Sequence, residues 1–232
     1  PKLLNYLYPY SDQLRFCLAS GITAYSPFFF VGTAPMRKNY SFVNAVIKPT
    51  YGRLEEMLIK EPAYLIIDIV RLKPSEKDEL RGFFQQAREH IAKEEEYKSL
   101  QELKKNKPPV ASPQIIHYVS VLKGELPVRF LADRKKDILK SLAFVDEFDV
   151  RAQILGAGEG WLLPEEIGRR NISTILQPEA FIPPDPYEYP PNGFNIKNAV
   201  IQKQSGIKFA VLNSFPYIYT GTAVLAVKRT PH

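Results

Sequence analysis

At 232 residues and 45% hydrophobic content, the chain can bury a sizeable core and is not a disordered polymer. Its single cysteine, Cys17, excludes an internal disulfide and a cysteine-based zinc site. No apolar run approaches the roughly 20 residues of a membrane span, and the net charge of +6 carries no nucleic-acid signature, because the basic run 98–107 is mixed with Glu94, Glu95, Glu96 and Glu102 as on a solvated helix face. The chain begins at Pro1 rather than Met, as a processed or trimmed chain would, so its first residues name no compartment.

In chain order, Ser11 or Asp12 can cap a short helix carrying Leu14, Phe16 and Leu18, and Gly21 fits its C-terminal cap. Residues 22–25 read as a short buried strand, 27–35 as an aromatic loop, 42–47 as a second strand and 54–59 as a helical turn. Residues 64–70 are nearly continuous in apolar side chains, as a parallel strand is, and only Asp68 interrupts them. Ser75 and Asp78 make a variant capping box for a long charged helix that runs to about Leu103. A short helix follows from Ser112 to Leu122, closed by Gly124.

Residues 125–163 carry the strongest pattern. An apolar run, 126–131, precedes a helical spacing of Ile138, Leu142, Val145 and Phe148. A second apolar run, 150–155, ends in Gly156-Ala157-Gly158. Strand, helix, strand is the grammar of a parallel βαβ unit. Pro164 then opens a helix, 172–176 is a strand, and 178–193 is a long proline-rich loop suited to an interface. Residues 195–204 read as a helix, 206–212 as a strand and 219–227 as a last helix. About seven strands alternating with helices predict a single α/β domain, a TIM-like (β/α) barrel rather than a doubly wound sheet. The Gly156-x-Gly158-x-Gly160 spacing is wrong for a dinucleotide fingerprint, and Trp161 follows where tight helix packing is needed.

Barrel chemistry sits at the carboxyl ends of strands. Those positions hold Leu131, Ala132 and Asp133, then Gly156 and Ala157, and finally Asn213 and Ser214. The three histidines, His90, His117 and His232, fall on helices or at the terminus, and no Gly-x-Ser-x-Gly elbow occurs. Asp133, Glu159 and Asp68 are the carboxylates near strand ends. A pair of them could serve acid–base chemistry. Asp133 can equally cap the following helix, and Glu159 can accept backbone N–H bonds in its glycine-rich turn.

Leu126-Pro127-Val128-Arg129, Ala132, Arg134, Asp137-Ile138, Glu147-Phe148 and Glu159 follow one another in a recognisable order. So do Ala19-Ser20-Gly21-Ile22-Thr23 and Gly206-Ile207-Lys208-Phe209-Ala210. This pattern resembles the imidazolonepropionase-like subgroup of the amidohydrolase superfamily, over roughly residues 12–214. The resemblance implies a metal-dependent barrel, and it places metal-binding histidines at Leu131, Asp133 and Gly156 and a metal-binding aspartate at Ser214. This chain keeps none of those ligand types except the carboxylate of Asp133. The family's first-strand His-x-His pair would fall before Leu3, and its β-sandwich is absent, so the barrel is expected to be incomplete.

The resemblance therefore implies the fold without the chemistry: no metal, no cofactor and no catalytic residue. The expected role is a scaffold or partner-binding subunit, with a protein partner or another segment completing the barrel. An active C–N hydrolase completed by another segment, and a small-molecule-binding pseudoenzyme, are the alternatives. Arg129, Glu159, Trp161 and Asn213 would line any remaining pocket.

Overall fold

A computed structural model of the chain describes residues 8–19, 21–24, 26, 41–50, 52–100, 107–177, 182–187 and 192–211. Its strands are β1 (Ser41–Ile47), β2 (Leu58–Ile67), β3 (Val128–Ala132), β4 (Ala152–Gly156), β5 (Ser173–Leu176) and β6 (Phe209–Val211). Its helices are α1 (Asp12–Ala19), α2 (Pro74–Leu100), α3 (Ile116–Leu122), α4 (Lys135–Phe148), α5 (Pro164–Arg169) and α6 (Asn198–Gln204).

The six strands form one sheet whose spatial order is their chain order. β2 to β6 are parallel neighbours. A doubly wound sheet reverses direction at a switch point, and this one does not. It curls as part of a barrel wall. Two expectations need correction. Six strands are present among the described residues, not about seven. β1 runs antiparallel to β2, so this pair is a hairpin and not a barrel βα repeat.

The expected strand at 22–25 is also absent from residues 22–24, and Tyr25 lies outside the described residues. Ile22 donates its N–H to Cys17 O at 2.9 Å, closing the end of α1, and so has no donor left for a ladder. The caps of that helix follow the sequence reading. Ser11 Oγ accepts the Leu14 N–H at 3.3 Å, and Gly21 takes a φ of +73°. Asp68 ends β2 as a turn carboxylate, accepting the Arg71 N–H at 3.2 Å. The helix expected at 219–227 lies outside the described residues.

Strand alternation divides the sheet into two faces. Leu65, Ile67, Val128, Phe130, Ala132 and Ile154 join the core beneath the helices. Tyr64 and Ile66 point to the opposite, inner face, where Leu131 packs against them. The helix-side core is built around Phe84 of α2, which is fully buried. Its ring centroid lies 4.5 Å from Phe148, 5.1 Å from Tyr118 and 5.2 Å from Phe144. Those contacts join α2, α3 and α4, and Phe144 reaches Phe130 of β3 at 5.5 Å. Above them Arg81 grips Glu147 with two 2.7 Å bonds, and Arg88 donates to the Glu147 carbonyl at 2.9 Å.

Phe84→Ala should therefore cost about 3–5 kcal/mol in chemical denaturation, as large cavities in cores do. Val110→Ala, at a position 86% exposed, should change stability by less than about 0.5 kcal/mol in the same assay.

Candidate functional site at the strand ends

The turn after β4 is the most constrained part of the barrel mouth. Glu159 is 1% exposed, and its carboxylate is fully used. Oε2 accepts the Lys135 N–H at 2.6 Å, capping the first turn of α4. Oε1 accepts the Gly193 N–H at 2.7 Å and lies 3.5 Å from Arg134 Nη1. A carboxylate at a helix N-terminus also opposes the positive end of the helix dipole. The cap expected of Asp133 thus belongs to Glu159, because the N-cap residue of α4 is Arg134, whose side chain makes no capping bond.

Asp133 does something else. Its carboxylate takes a backbone hydrogen bond from Gly158, yet Oδ1 has no partner among the described residues. Burial pushes its pKa above the ordinary carboxylate range, the Asp137 and Glu159 charges push the same way, and the Gly158 bond and Arg134 oppose them. The carboxylate lies directly against Gly156. A methyl group on Gly156 would sit 2.2 Å from Asp133 Oδ1, and the φ of +106° there suits glycine alone. Gly158 is covered in turn by Ile182, whose Cδ1 would lie 2.1 Å from an added methyl.

Described residues of the proline-rich loop, Ile182, Pro183 and Gly193, lie against this turn. Among its described residues, Trp161 Nε1 donates to Gly193 O at 3.0 Å, and Arg134 Nη1 donates to Pro183 O at 3.3 Å. From α6, Asn198 donates to the carbonyls of Ala157 and Gly158 at 2.9 and 3.1 Å. Trp161 and Glu159 therefore latch chain segments together. Arg129 stands on the inner face of the sheet, one step below Leu131. Asn213 and Ser214 lie outside the described residues.

His90 is buried in α2, with Nε2 3.3 Å from Glu94 Oε1, and His117 lies on α3. His232 is outside the described residues. Among the described residues no group of three or more His, Cys, Asp or Glu side chains is placed to hold a metal ion. Leu131 offers hydrocarbon, Gly156 offers no side chain, and the space beside Gly156 holds the Asp133 carboxylate. The described residues at these strand ends do not fit a divalent metal.

No protein-family model matches this sequence, and no curated protein does. The structure is similar to that of an amidohydrolase from Thermotoga maritima MSB8, with a TM-score of 0.72 and 18% identity. The fold is amidohydrolase-like. The likeness takes in 99% of this chain and 61% of the Thermotoga chain. It agrees with the barrel expected from the βαβ pattern. Sequence reading missed Ile182, Asn198 and the Thr174–Gln202 bond at 2.5 Å, which secure the turn through contacts distant in sequence.

Two outcomes follow from this geometry. Glu159→Ala leaves two buried N–H groups without an acceptor and should cost about 2–4 kcal/mol. Amide exchange should accelerate at Lys135 and Gly193 together. Asp133 has a raised folded-state pKa, so its charged form costs stability as pH rises from the ordinary value of about 4 through the folded value. Asp133→Asn should therefore be more stable than wild type at neutral pH, with the advantage vanishing in acid; equal pH dependence of the two unfolding curves would contradict this.

Proposed function

We propose that this chain is a catalytically inactive amidohydrolase-like protein that serves as a scaffold or partner-binding subunit of a larger assembly. The observation that carries the reading is the packing of the Asp133 carboxylate against Gly156. A ligand side chain at Gly156 and this Asp133 rotamer cannot coexist. Hydrolysis in an amidohydrolase-like barrel would need a metal to lower the pKa of the attacking water, and among the described residues no group of three or more His, Cys, Asp or Glu side chains is placed to hold one.

Support for a partner role comes from surfaces left uncovered among the described residues. The inner-face residues Leu131, Leu155 and Ile175 are half-buried, although a closed barrel buries that layer. Phe194, Ile196 and Val200 are 45%, 84% and 53% exposed on the segment entering α6. Strands supplied by another segment or another protein would complete the wall.

Metal analysis of the chain produced in medium supplemented with zinc, iron and nickel tests the reading. The expected result is metal far below stoichiometric. A stoichiometric ion that is lost on Asp133→Ala would sink the proposal and favour the active-hydrolase alternative.

A further inference from the structure

The inner face carries a band of polar residues that neither the fold nor the strand-end site uses. Register sets Ile66, Arg129, Gln153 and Ser173 side by side across β2 to β5. Thr174 pairs with Phe209, and its N–H bonds Lys208 O at 3.0 Å, which sets Lys208 beside Ser173. At a strand spacing of about 4.8 Å, the row Arg129, Gln153, Ser173, Lys208 spans roughly 14 Å. The next row toward the strand ends is Leu131, Leu155, Ile175, Ala210, and it is wholly apolar.

Arg129 is held in a fixed plane. Nε and Nη2 donate to Gln153 Oε1 at 3.2 and 2.9 Å, and the guanidinium carbon lies 3.5 Å from the Tyr64 ring centroid. The Tyr64 hydroxyl is itself hydrogen-bonded to Ser26. With its oxygen taken twice, the Gln153 amide presents its NH2 to the row. Among the described residues neither Arg129 nor Lys208 is paired with a carboxylate, and no hydrogen bond occupies Gln153 Nε2 or Ser173 Oγ. Burial pushes the Arg129 pKa down, so part of the cation's hydration is already lost with no anion to replace it.

Gln153, Ser173 and Lys208 also line an open depression at the amino-terminal ends of β3 to β5, which Arg129 and the apolar row do not line. The other charges lining it are Asp146, Asp149, Arg151 and Arg170. Asp146 is held by Arg170, which also pairs with Glu166, and Arg151 donates to Gly124 O at 2.7 Å. Lys208 is exposed and uncommitted.

We propose that this row is a binding site for a carboxylate borne on an apolar body. The carboxylate oxygens would take donors from Arg129, the Gln153 amide, Ser173 and Lys208, and the hydrocarbon would lie along Leu131, Leu155 and Ile175. A planar guanidinium with adjacent amide and hydroxyl donors matches the carboxylate group better than it matches chloride. That chemistry could come from a free organic acid or from a Glu side chain on a strand laid across the face.

NMR titration of the whole chain tests the site, with sodium hexanoate in one arm, a capped Val-Glu-Val-Glu peptide in another, and sodium chloride at equal ionic strength as the reference. Saturable shifts at Gln153 and Ser173 with hexanoate assign the free-acid source; saturation with the peptide alone assigns the polypeptide source. Arg129→Gln should weaken binding by roughly tenfold or more, as loss of a charge-assisted planar donor does. Lys208→Gln, at an exposed residue the fold does not need, should weaken it by about threefold. Equal shifts with chloride, no saturation in either arm, or an unchanged affinity in both variants would overturn the proposal. Metal content is a separate readout, so this site and the inactive-barrel reading fail independently.

Discussion

The Glu159 carboxylate joins three pieces of chain that are far apart in sequence: the turn after β4, the first turn of α4, and Gly193 in the proline-rich loop. It is buried and satisfied by backbone N–H groups and a nearby guanidinium. A buried carboxylate in that state is costly to disturb, because each lost bond leaves a desolvated partner behind. Trp161, Ile182 and Asn198 add their own contacts to the same turn and loop.

Asp133 and Gly156 belong to the same arrangement. The close approach of Gly156 to the Asp133 carboxylate, at a φ of +106°, requires glycine there, while Gly158 is covered by the Ile182 side chain. The space beside Gly156 at the end of β4 is therefore filled by the Asp133 carboxylate. A barrel mouth that binds metal directs several donors into a shared space. Here Glu159 accepts backbone N–H groups from a helix and a loop, while Asp133 lies against Gly156 and accepts from Gly158. The inner face below remains open among the described residues, and that is where unpaired cations and half-buried apolar side chains lie.

Much of the central βαβ unit was legible in the sequence. The apolar runs of β3 and β4 and the spacing of Ile138, Leu142, Val145 and Phe148 share one physical origin, burial of the helix-side face, and periodicity reports it directly. Local caps such as Ser11 and Gly21 were legible for a similar reason: their partners are within a turn. Long-range partners were not. The sequence placed Glu159 in a turn that could bind N–H groups, but not which ones, since Gly193 is 34 residues away. It assigned the α4 cap to Asp133 because proximity in sequence favours Asp133, whereas the folded turn brings Glu159 closer to the Lys135 N–H. The antiparallel sense of β1 and the row from Arg129 to Lys208 depend on register, which no single strand's pattern contains.

The proposed reading makes Asp133 and Glu159 structural carboxylates that share no metal ion. The most direct test follows their side-chain carboxyl carbons by 13C NMR while zinc is titrated into the intact protein. The account predicts that neither resonance moves and that the Gly193 amide stays protected throughout. Saturable, zinc-dependent shifts of both carboxyl carbons at an equimolar end point would contradict it.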